Sequence, residues 1–131
     1  MKKIVTILFF AVLLSAYNIK QFVTCKNVIN LEPIDITTTF THKDPKVYAF
    51  AYFTDIKKNT LIDFVWEKEV KGEWKLYADI QLPIFAGIRW RTYSNITIRD
   101  FFCGKWRVSI IDGNETIKTV NFFIKDINSS E

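Results

Sequence analysis

The residues best able to do chemistry in this chain are two cysteines, Cys25 and Cys103, a single histidine, His42, and a scatter of aspartates. A thiol becomes a nucleophile when a neighbouring base takes its proton, and imidazole is the usual base. His42 lies in a turn-like stretch, Thr41-His42-Lys43-Asp44-Pro45, and nothing in the sequence orients it toward either cysteine. Asp35, Asp44, Asp55, Asp63, Asp79, Asp100 and Asp112 have no spacing that pairs a general acid with a base or builds a calcium loop. Phosphate-loop, zinc-ligand and catalytic-triad patterns are absent. The expectation is a protein with no catalytic residues, no metal and no cofactor.

Aromatic and basic side chains are the other candidates. Trp66, Trp74, Trp90 and Trp106 could stack on sugar rings, but each shares the parity of the aliphatic residues around it, which predicts core packing for all four. If Trp90 and Trp106 point inward, Arg89, Arg91 and Tyr93 point outward from one strand and Lys105 and Arg107 from another. Pairing of those two strands would merge the four cations into one basic face. Either Asp79, Glu67 or Glu69 interleaves there as ion pairs, or the face is open to an anionic partner, with Tyr93 stacking beside it.

These side chains need strands to hold them. Lys46 to Thr54 alternates with both faces largely apolar, as a central strand does. Leu61 to Glu69 and Trp74 to Leu82 flank a Lys71-Gly72-Glu73 turn, and Lys105 to Asp112 and Thr116 to Lys125 flank Asp112-Gly113, which predicts two hairpins. Strands over Gln21 to Val28 and Ile88 to Tyr93 bring the total to about seven, with Asn95 to Phe102 a crossing loop or irregular turn. The fold class that follows is all-β, an immunoglobulin-like antiparallel β-sandwich, with a small closed barrel as the competing architecture.

Compartment comes from the N-terminus. Met1, Lys2 and Lys3 precede an uninterrupted apolar run from Ile4 to Ala16, which reads residues 1–16 as a signal peptide or, uncleaved, as an N-terminal membrane anchor. Residues 17–131 then form a single domain, placed in the periplasm, outside the cell, or on the membrane. Without Lys2 and Lys3 the 18 basic residues fall to 16 against 14 acidic ones, a net charge of +2 rather than +4, so nucleic acid is not an expected partner. In an oxidising compartment Cys25 and Cys103 read first as one disulfide, closing a loop of about 80 residues worth roughly 3–5 kcal/mol. Two free buried thiols are the alternative.

Cys25-Lys26-Asn27-Val28, Glu32-Pro33, Lys46-Val47-Tyr48-Ala49-Phe50, Trp66, Leu82-Pro83, Trp90-Arg91-Thr92-Tyr93-Ser94 and Gly104-Lys105-Trp106-Arg107-Val108 together resemble the bacterial domain-of-unknown-function family 2914, over residues 22–125. The resemblance implies an exported or membrane-associated protein with an all-β domain, and it assigns no activity. Where family members carry a lysine soon after the serine of the Trp-Arg-Thr-Tyr-Ser block, this chain has Asn95 and Ile96, and where many carry a histidine two residues before the first tryptophan it has Phe64.

The functional expectation is therefore a non-catalytic module of the cell envelope. It would bind an envelope protein or an anionic glycan through a sheet face and its loops, touching membrane only through an uncleaved N-terminal segment. A secreted hydrolase or transferase with an unrecognised site is the competing expectation.

Overall fold

The computed structural model describes residues 16–127, so the expected signal segment, apart from Ala16, lies outside the described residues. Nine strands follow in order: β1 Asn18–Ile29, β2 Glu32–Ile36, β3 Thr39–Thr41, β4 Lys46–Ile56, β5 Thr60–Val70, β6 Glu73–Ile84, β7 Gly87–Thr97, β8 Gly104–Asp112 and β9 Glu115–Lys125. They form a four-stranded sheet, β2-β1-β4-β7, and a five-stranded sheet, β3-β9-β8-β5-β6. All pairs are antiparallel except β3 with β9. Among the described residues no helix is long and apolar enough to cross a membrane.

The expected sandwich is therefore present, with nine strands in place of seven. The two additional ones, β2 and β3, carry the chain from one sheet to the other. Thr37 bonds back to β1, its N–H to the Thr24 carbonyl at 3.1 Å, whereas the Thr38 carbonyl accepts from Phe123 of β9 at 2.9 Å. Two residues thus change layers, and the three-residue β3 is held only by β9.

The core lies between the sheets. Val47, Ala49, Ala51 and Phe53 of β4 face Ile62, Phe64 and Trp66 of β5 and Trp106, Val108 and Ile110 of β8, all essentially fully buried. Phe64, where a polar residue would have marked a site, is thus core. Trp66 crosses the gap: its indole Nε1 donates to Ser94 Oγ on β7 at 3.2 Å, tying one sheet to the other inside the core. Tyr17 seals one end, its ring edge-on to Phe53 at 5.4 Å and its hydroxyl donating to Asp112 Oδ2 at 2.8 Å. Burial and the nearby carboxylate push that phenol far above its ordinary pKa.

Both predicted hairpins form. In the β5–β6 turn Lys71 and Gly72 both take positive φ, 53° and 82°, the type I′ pattern that matches strand twist and that glycine adopts without steric cost. Gly113 and Asn114 connect β8 to β9. Asn95–Thr97 extends β7, and only 98–103 is loop, pinned by Trp106, whose indole donates to the Phe102 carbonyl at 2.7 Å.

Three expectations need correction. First, Trp74 and Leu76 do not face the core. The β5–β6 register steps from Trp66 opposite Ala78 to Glu67 opposite Leu76, so Tyr77 is an extra residue, a β-bulge. The bulge reverses parity ahead of it: Tyr77 packs edge-on to Trp106 at 5.4 Å, Leu76 is 64% exposed, and Trp74 sits on the outer face. Second, Cys25 and Cys103 are free thiols, not a disulfide. Cys25 lies on the outward side of the four-stranded sheet, between Ile36 and Tyr48, where its thiol donates to the Asn27 carbonyl at 3.2 Å. Cys103 precedes β8 at one end of the other sheet. Third, the basic residues do not merge, because β7 and β8 belong to different sheets.

Candidate functional site

Strand parity places Arg89, Arg91 and Tyr93 on the outer face of the four-stranded sheet, and Lys105 and Arg107 on the outer face of the five-stranded one. The two groups point away from each other across the core. Arg91 is engaged by Glu32 at 2.9 Å and lies 5.7 Å from the Tyr52 ring, while Tyr93 packs on Tyr48 at 5.9 Å. That face thus holds one ion pair, a cation–π contact and an aromatic pair around an exposed Arg89.

The opposite face is built differently. Arg107 Nε donates to Glu67 Oε1 at 2.7 Å, which is the acidic interleaving expected of Glu67. Its guanidinium also lies 4.3 Å from the centre of the Trp74 ring. The ion pair and the cation–π contact together hold the indole on the surface.

Beside this stack runs a row of side chains across the whole sheet. Thr39 of β3 is opposite Phe123 of β9, Phe123 is opposite Lys105 of β8, and Glu69 of β5 is opposite Trp74 of β6. Glu69 and Lys105 flank the Lys68–Trp106 pair that joins their strands. An open groove of about 480 Å³ follows this row, lined by Thr39, Phe123, Asn121, Lys105, Glu69 and Trp74. The volume suits a small polar ligand or one to two sugar units. Phe123 is 41% exposed, and Lys105 makes no ion pair among the described residues. The groove thus has aromatic ends with a cation, a carboxylate and an amide between them.

Two further groupings were not visible in the sequence. Asp63 and Asp79 share a hydrogen bond on this outer face, which pushes the Asp79 carboxyl above the usual carboxylate range, with desolvation and the Asp63 charge adding to the shift. Gln81 Nε2 donates to Asp63 at 3.3 Å. At the end of the same sheet His42, Cys103 and Asp126 converge, with one ligand atom from each within 4.8 Å of the others. Burial pushes the Cys103 thiol up, the Asp126 carboxylate adds to this, and the Lys68 ammonium pulls it back.

The profile of the family described as "Protein of unknown function (DUF2914)" matches residues 59–124, half of the chain. That stretch contains β5 to β8 and nearly all of β9, hence most of the groove; the N-terminal strands included in the sequence resemblance fall outside it. No curated protein matches the sequence. Among solved structures, the beta-glucosidase from Listeria innocua in complex with isofagomine is similar with a TM-score of 0.51 and 11% identity, covering 82% of this chain and 16% of that one. The same enzyme in complex with gluconolactone gives 0.50 and 10%, covering 82% and 15%. The chain spans about a sixth of that enzyme, and the likeness is one of fold.

Proposed function

We propose, from the premise that the chain belongs to the DUF2914 family of proteins of unknown function, that it is a non-catalytic binding module of the cell envelope. Its ligand on this reading is an anionic glycan, held in the groove of the five-stranded sheet. The observation that carries the reading is the outward Trp74, fixed by Arg107 at one end of a groove whose other end is Phe123. Sugar rings present an apolar face that stacks on such rings, and their hydroxyls and carboxylates need donors and acceptors between them. Lys105 and Asn121 supply donors, and Glu69 accepts from hydroxyls. The cation is what favours a glycan bearing carboxylates over a neutral one.

The test begins with a glycan array that includes acidic and neutral oligosaccharides, followed by titration of tryptophan fluorescence with the hits. Acidic glycans should quench or shift the emission, binding should weaken with salt, and Trp74→Ala and Lys105→Ala should each lose it while remaining folded. An Arg89→Ala, Arg91→Ala double variant changes the opposite face and should bind as the parent does. Binding abolished by that double variant and untouched by Trp74→Ala would move the site to the four-stranded sheet and refute the groove.

A further inference from the structure

We propose that His42, Cys103 and Asp126 form a binding site for a zinc-class divalent metal ion, with three protein ligands and a fourth position open to water or to an external ligand. The cluster is a product of topology. β3, β9 and β8 are neighbours in one sheet, and each residue stands one step beyond its strand: His42 after Thr41, Asp126 after Lys125, and Cys103 before Gly104. Thr41 is paired with Lys125 and Gly104 with Ile124, so the three strands end almost level.

The histidine is held in place from both sides. Its backbone N–H donates to the Lys125 carbonyl at 3.2 Å, next to Asp126. The turn carrying it is closed by Asp44, whose Oδ2 accepts from the Thr41 N–H at 2.9 Å and whose own N–H donates to the Thr41 carbonyl at 3.0 Å.

Distances favour a small tetrahedral ion. Bonds of the usual length from zinc to nitrogen, oxygen and sulfur put ligand atoms roughly 3.4–3.6 Å apart. His42 Nδ1 and Asp126 Oδ1 are 3.5 Å apart, and no pair among the three ligand atoms exceeds 4.8 Å. Closing the remaining gap requires side-chain rotation by about an ångström, which the half-buried Cys103 and the exposed Asp126 allow. The donor set of one thiolate, one imidazole and one carboxylate selects zinc, cobalt or cadmium over magnesium and calcium, which prefer oxygen alone. Asp126 opens the site to solvent, so a fourth ligand can enter from outside.

The test uses the full chain, kept reduced, with cobalt(II) as the spectroscopic probe and zinc(II) as competitor. A thiolate-to-cobalt charge-transfer band in the near ultraviolet, intense visible bands of a four-coordinate ion, and loss of both on adding one equivalent of zinc are expected. Cys103→Ser should abolish the charge-transfer band. His42→Ala and Asp126→Asn should each weaken binding by roughly tenfold or more, and Cys25→Ser should leave the spectrum unchanged. Asp126→Asn alters an exposed side chain and cannot report unfolding, so it keeps the result decisive even if a change at His42 disturbs the turn. The spectrum of hydrated cobalt alone, or a charge-transfer band that survives Cys103→Ser, would overturn the proposal.

Discussion

Ser94→Ala isolates the buried hydrogen bond from Trp66 that crosses the core between the sheets. In the folded protein Trp66 is fully buried and Ser94 is 6% exposed, so the indole N–H has no water to turn to when the hydroxyl is removed. A buried donor left without its partner costs about 1–3 kcal/mol. Ser94→Ala removes a single oxygen and no carbon, so most of the loss should come from the orphaned N–H. For a domain of this size each kcal/mol lowers Tm by about 4 °C, which puts the expected drop near 4–12 °C. Urea denaturation followed by circular dichroism and by tryptophan emission measures the same quantity at 25 °C, with coincident transitions confirming two-state behaviour. A double-mutant cycle with Trp66→Phe sharpens the test: in that background Ser94→Ala should cost about 1 kcal/mol less, because the donor is already gone. A Ser94→Ala loss below about 0.5 kcal/mol, the range of surface substitutions, would refute the claim that this bond ties the layers together. It would also remove the structural explanation of the serine that closes the Trp-Arg-Thr-Tyr-Ser block.

Arg107→Lys keeps the charge but not the planar fork on Glu67 and Trp74, so it should destabilise by about 1 kcal/mol in urea melts, close to the effect of Arg107→Ala. Tyr17→Phe should cost about 1 kcal/mol at neutral pH through loss of the bond to Asp112. Because the folded phenol holds its proton above the ordinary value of 10.0, the parent's stability falls as pH rises past that point. The variant should show a flatter alkaline limb in denaturation at pH 8 and pH 11. Asp79 follows the same sign at the acidic end: its carboxyl is raised from 3.8, so the folded form binds the extra proton and loses stability as pH rises through the carboxylate range. Asp79→Asn should flatten that limb by less than about 1 kcal/mol, since the pair is exposed, and melts across pH 3 to 7 measure it.

Period-two patterning reports which side chains share a face, and it does so well wherever a strand is regular. The inward sets of β4, β5 and β8 are the alternations seen in the sequence, with Trp66 and Trp106 in the core as expected. Patterning fails at two kinds of place. One is an inserted residue: nothing in Glu73 to Leu82 announces that Tyr77 is supernumerary, yet it decides that Trp74 faces water. The other is the choice of sheet, since outward parity for Arg91 and Arg107 holds in either layer and only the passage of the 98–103 loop from one sheet to the other separates them. The short β2 and β3 were hidden by their composition: Pro33 and a run of threonines give no apolar alternation, and Asp35 takes a positive φ of 56°. His42, Cys103 and Asp126 come together through strand register, a long-range quantity that no local spacing encodes.

The bulge at Tyr77 has a bearing on how the chains behave in company. β6 is an edge of its sheet and runs for 12 residues, long enough to offer a template to any passing strand, a second copy of this chain included. Extra twist at Tyr77 divides that template, and Pro83, which has no N–H to give, ends it. What remains on either side is a stretch of four or five residues carrying Lys75 at one end and Asp79 at the other. Deleting Tyr77 would turn Trp74 inward and straighten the rim in one stroke. The deletion would thus trade an interrupted, grooved rim for a flat, sticky border open to strand-by-strand polymerisation.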